Sequence, residues 1–197
     1  AIMATDSVII IAVNVVLQRY GGEDGDMWIT VSTIVQAFLS LITMPMLGIS
    51  TGTQPVLSFN YGAKNPDLIR KAEIRIVGSC LVFTTVMFAL SFVIAEPFTA
   101  LFTSDPQITE KSVWGVRVYM IGIIPLALQY AFVDGFTALG QPKFAIVLSL
   151  TRKIVLYLVS AAALPAFFGV ESAFYAEPIA DIGAAAETFR TLAESPT

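Results

Sequence analysis

The sequence predicts an all-α membrane protein, a bundle of six transmembrane helices. Three observations predict it. The 197 residues are 56% hydrophobic and 13% charged, roughly half the charge of an ordinary soluble domain, and mean hydropathy is +0.77. Six apolar stretches approach the roughly 20 residues that cross a bilayer. No stretch alternates with a strand period, which excludes a barrel.

The first stretch is Ile2–Gln18. Asp6, Ile10, Asn14 and Gln18 recur at i+4, so one polar stripe runs along an apolar helix and should face the bundle or a wet cavity. A carboxylate at the helix centre costs about 2.5–3.5 kcal/mol on insertion scales. Asp6 is therefore a candidate ion-coupling group, or a carboxylate near the cytoplasmic end that snorkels. The turn-rich segment RYGGEDGDM leads to the second stretch, Met27–Gly48. Ser32, Gln36, Ser40 and Thr43 share one face, a pattern that interhelical hydrogen bonding explains better than substrate contact. Pro45 should kink this helix. Gly48 and Gly52 at i, i+4 should let another helix approach closely. Pro55 should break the hydrogen-bond ladder. Asn60-Tyr61-Gly62 reads as a C-cap, with Gly62 supplying positive φ. Residues 60–75 then read as a basic amphipathic loop on the membrane surface. Leu68, Ala72 and Ile76 would face lipid while Arg70, Lys71 and Arg75 reach headgroups.

The third stretch is Ile74–Ala95, with Cys80 as a small buried or lipid-facing hydrophobe. EPFTALFTSDPQITEKS joins it to the fourth, Val113–Leu139, which contains Pro125. Tyr119, Ile123, Leu126, Tyr130 and Asp134 follow helical spacing there. Asp134 lies six residues before Gly140, roughly 9 Å inside the helix end. The tight link GQPK makes the fifth stretch, Phe144–Phe168, its antiparallel neighbour. Asp134 either pairs with Arg152 or Lys153 or serves as an ion-coupling carboxylate. The sixth stretch, Ser172–Phe189, is the weakest because it carries Glu177, Asp181 and Glu187.

Other chemistries find no support. Histidine is absent and Cys80 is the single cysteine, so the commonest general base and metal ligand are missing and no intrachain disulfide forms. There is no Walker motif, G-x-S-x-G or H-E-x-x-H. We expect no enzyme, no metal site, no cofactor and no nucleic-acid partner. Methionines 44, 46 and 120 offer an adaptable surface but read as ordinary packing. Charge sets the expected orientation. Alternating spans place Lys64, Arg70, Lys71, Arg75, Lys143, Arg152, Lys153 and Arg190 on one side, and Arg19, Lys111 and Arg117 on the other. The positive-inside rule puts the first side, and both chain ends, in the cytoplasm. The chain begins at Ala1 without a basic n-region, so a signal peptide is not expected and the start reads as a cut within a longer protein or a partial gene.

QRYGGEDGDMWITVSTIV, then PMLGISTGTQPVLSFNYGAKNPDLIRKA, then FTALGQPKFAIVLSLTRK together resemble the multidrug and toxic compound extrusion (MATE) family, its MepA-like branch most of all. The family's G-x-x-x-G-x-Q-P and N-Y-G-A-K run is matched by Gly48, Gly52, Gln54, Pro55, Asn60, Tyr61 and Gly62. Its A-L-G-(K/Q)-P-K link is matched at Ala138–Lys143, and its P-I-A-D turn at Pro178–Asp181. The resemblance implies twelve helices in two lobes, this chain being the second, helices seven to twelve. It implies a cation-coupled antiporter, driven by H+ or Na+, that exports cationic or amphiphilic compounds across the cytoplasmic membrane. Asn14, Gln36, Tyr130 and Met44 then become substrate-cavity candidates, Asp181 belongs to a structural turn, and the expected partners are the lipid bilayer, an N-terminal lobe and drug-like small molecules. IGAAAETFRTLAESPT departs from the family's strongly apolar last helix. The competing expectations are a flippase for lipid-linked sugars and a non-transporting truncated fragment.

Overall fold

The computed structural model describes the backbone of residues 2–194 and the side chains of residues 7–193. Helix α1 (Ile2–Gly21) turns through a short 3-10 segment into α2 (Gly25–Gly62), and α3 (Pro66–Thr99) follows. Helices α4 (Pro106–Met120) and α5 (Ile123–Ala138) form one broken span. Helix α6 (Pro142–Leu150) continues through a π-helical segment, 151–158, into α7 (Val159–Phe168), and a 3-10 segment, 170–175, leads to α8 (Ala176–Glu194). Among the described residues Ser7–Gly62, Pro66–Thr99 and Pro142–Phe168 are long and apolar enough to cross a membrane, and the α4–α5 pair adds a fourth if counted as one.

The helices are longer than their apolar stretches. Helix α2 does not end near Gly48 but runs through Pro45 and Pro55 to Gly62. Each proline removes one backbone hydrogen bond, yet in an apolar medium unwinding would orphan many more. The expected loop at 60–75 shrinks to a three-residue link. Asn65 caps α3 by accepting from the Leu68 N–H at 3.2 Å, with Pro66 at the first helical position. The positive-φ residue is Lys64 (φ 54°), not Gly62, which stays helical. Ala72 and Ile76 do not face lipid either. With Ile69, Val77 and Cys80 they form the inner stripe of α3, Ile76 and Cys80 being buried and the others partly so. Val82, Val86, Leu90 and Val93 are the exposed stripe. Asp105 caps α4 in the same way as Asn65 caps α3, accepting from the Gln107 and Ile108 N–H groups at 2.8 and 3.3 Å.

The fourth span is broken at Ile121–Gly122, where α4 and α5 meet at 50°. Pro125 is not the cause. It sits in the first turn of α5, where its missing N–H is harmless. The break is closed by short-range bonds from the Ile121 and Gly122 N–H groups to the Val118 and Tyr119 carbonyls, both 3.2 Å. Only glycine fits at 122. A Cβ there would stand 2.6 Å from the Asp181 carboxylate and 2.8 Å from the Pro178 Cα on α8.

The core is organised around α2, whose Val35, Phe38, Ile42 and Met46 are almost fully buried. At the end of the bundle that carries the α1–α2 link the 3-10 segment inserts Phe174 between Trp28, Trp114 and Tyr119, with ring centroids 5.8, 5.5 and 6.0 Å away. Lys111 closes this end, pairing with Glu171 and lying 5.3 Å over the Trp28 ring.

Candidate functional site

Two cavities lie within the bundle, of about 490 and 520 Å³. The first is walled by α1, α2, α5, the π-helical segment and α8. Asn14, Gln36 and Tyr130 line it, so three of the four residues expected in a substrate cavity are brought together. Met44 is not among them and lies 69% exposed. Ser32, Ser40 and Thr43 also line this cavity. The Ser40 hydroxyl donates to the Gln36 carbonyl of its own helix, at 2.9 Å, rather than to a neighbouring helix. The α2 polar face is thus a cavity wall. Asp6 lies outside the residues whose side chains are described.

Charge enters this wall from the π-helical segment. Arg152 and Lys153 both line the cavity, and so does Glu177 from α8. Arg152 does not pair with Asp134. Its Nε donates to Asp181 Oδ1 at 2.8 Å, and its Nη2 reaches Glu177 Oε1 at 2.8 Å and Asp181 Oδ1 at 2.7 Å. Asp181 is 1% exposed in the second turn of α8, so the P-I-A-D run is helical and not a turn. Tyr119 and Tyr157 are buried electrostatic neighbours of Glu177. Glu177 was legible as a charge in a weak span. Its pairing with a residue 25 positions away was not, because that requires knowing how α8 docks.

Asp134 stands in a second polar cluster. Tyr130, Arg152 and Lys153 line both cavities and form the partition between them, and Asp134 lines the second. Its carboxylate accepts from the Ser50 hydroxyl, from Thr51 Oγ1 at 3.3 Å and from Gln54 Nε2 at 2.9 Å. Gln54 of the Gly-rich motif thereby ties α2 to α5. Glu73 of α3, which the sequence reading passed over, completes the cluster. Its Oε1 is buried without a hydrogen bond among the described residues. It lies 2.9 Å from where a Gly135 Cβ would stand and feels the charge of Asp134. The available signal was its place on the Ile69-Ala72-Ile76-Cys80 stripe. Gly48 and Gly52 admit no helix within this bundle, since a Cβ at either meets nothing within 4 Å. The Asn60 amide donates to the Val56 carbonyl of its own helix at 2.8 Å, and Tyr61 and Pro55 are exposed. Gln54→Leu should cost about 1.5–3 kcal/mol, the value of a hydrogen bond to a charged group. Thermal unfolding of the purified variant measures it, and an unchanged midpoint would show that Gln54 anchors nothing.

Comparison with known proteins places this geometry. A family model described as MatE matches residues 2–162. The chain is similar to a FAD transporter of Shewanella oneidensis, 27% identical over 143 residues, which covers 73% of this chain and 32% of that protein. It is also similar to the multidrug export protein MepA of Staphylococcus haemolyticus, 24% identical over 164 residues, covering 83% of this chain and 34% of the relative. The chain thus spans about a third of the length of these curated relatives. A crystal structure of MATE in complex with MaL6 superposes with a TM-score of 0.86 at 19% identity, covering 95% of this chain and 42% of that one.

Proposed function

Because the chain belongs to the MatE family of membrane transporters, we propose that it forms one lobe, helices seven to twelve, of a cation-coupled exporter of cationic or amphiphilic organic compounds. The observation that carries this reading is the first cavity, whose largely apolar wall gathers polar and charged side chains from five helical segments of an otherwise apolar bundle. Polar groups in a span are costly and are retained where they line a pathway. Asn14, Gln36 and Tyr130 on its wall would contact the compound. Asp134, and Asp6 if it lies deep enough, are the candidates for binding H+ or Na+. The partners in this reading are the lipid bilayer and an N-terminal lobe that supplies the facing wall, the two lobes rocking about the site to alternate access. Both ends of the chain lie in the cytoplasm on the positive-inside argument.

A second substrate reading is favoured by Lys153 on the same wall as the rings of Tyr130 and Tyr157. Cations beside aromatic faces suit an anionic, ring-bearing compound, the class to which the FAD named for one relative belongs. Efflux from cells producing the two-lobed protein separates the readings. Ethidium extrusion that collapses with the ion gradient is the expected result. Release of flavin nucleotide without ethidium extrusion would favour the second reading. Neither activity would leave a non-transporting membrane module and overturn the proposal.

A further inference from the structure

The buried ion triad does not balance. One guanidinium, Arg152, holds two carboxylates, Glu177 and Asp181, in a wall where Asp181 is 1% exposed, Glu177 7% and Arg152 9%. Both Arg152 bonds to Asp181 fall on Oδ1. Its other oxygen, Oδ2, is buried without a hydrogen bond among the described residues. An ionised carboxylate needs partners on both oxygens when water is excluded. Arg152 is the cation that bears on Asp181. Tyr119 of α4, Tyr130 of α5 and Tyr157 of the π-helical segment contribute phenols, which supply no positive charge. Lys153 lines the cavity, but the charges bearing on Asp181 are those of Arg152 and Glu177.

We propose that Asp181, held beside Glu177 by Arg152, is a site that takes up and releases one proton. Glu177 lines the cavity. Asp181 lies behind it, and its free Oδ2 is where the proton rests. With the proton bound, the triad is neutral and α8 is held to the π-helical segment. With the proton released, the triad carries a net charge of −1. The site is distinct from Asp134, which has its own donors on α2. It is a property of this chain by itself and stands whether or not the transport reading does.

The test is infrared difference spectroscopy of residues 1–197 purified into lipid nanodiscs. A carboxylic-acid carbonyl band should fall as the medium is made alkaline and recover on re-acidification. Glu177→Gln and Asp181→Asn should each remove it, and Asp134→Asn should leave it. If Asp181→Asn fails to fold, Asp181→Glu should keep the band and shift its frequency. The proposal is overturned if no such band responds to pH. It is equally overturned if the band survives Glu177→Gln at full amplitude, or keeps its frequency in Asp181→Glu.

Discussion

Arg152→Met is expected to destabilise the protein by about 3–5 kcal/mol, the cost of removing one partner from a buried ion group. The methionine fills much of the same volume but leaves Glu177 and Asp181 facing each other across a dry wall. The loss should appear as a lower unfolding midpoint in detergent and a smaller monodisperse yield. Adding Glu177→Gln and Asp181→Asn to Arg152→Met should recover most of it, because replacing a whole buried ion group by neutral side chains is often close to neutral. A single variant as stable as the parent would show that the triad does not hold α8 in place. A triple variant no better than the single would show that Arg152 acts through packing alone.

Phe174→Ala should cost a similar amount, about 3–5 kcal/mol, the range for emptying an aromatic site in a packed core. Phe174 is 2% exposed and touches the rings of Trp28, Trp114 and Tyr119, which belong to α2 and α4. It also fills the space over Gly115, where a Cβ would stand 3.3 Å from its ring. These contacts fasten the segment that leads into α8 to α2 and α4. Phe174→Leu should lose less, since it refills part of the cavity. Unfolding midpoints of both variants check the order, and an alanine variant indistinguishable from leucine would place Phe174 outside the cooperative core.

Individual elements show which signals could be read along the chain. Asp134 stood out because a carboxylate inside an apolar run is costly wherever the run packs. Its partners did not stand out. Ser50, Thr51 and Gln54 lie some eighty residues earlier, and the neighbour suggested by the tight GQPK link was Arg152. That arginine is turned away by the π-helical segment toward α8. The Gly-rich run from Gly48 to Lys64 looked like a helix end because glycine and proline are breakers in water. Inside a bilayer the same residues stay helical, since no water is present to satisfy an unwound backbone.

The sequence by itself determined the class of the protein. Its apolar runs and sparse charge demand internally bonded helices in a membrane, whatever their arrangement, and its polar stripes on α1 and α2 already mark the face that must avoid lipid. Only the tertiary structure decided what those polar groups do. Docking of α8 against the π-helical segment converts Arg152, Glu177 and Asp181, separate charges in two helices, into one buried group beside a cavity. Glycine at 122 permits that docking by letting Asp181 and Pro178 approach the broken span. The physical reason is range. Hydropathy and helical spacing are properties of neighbouring residues, whereas the charge balance of a buried group is the sum over helices that the chain brings together only by folding.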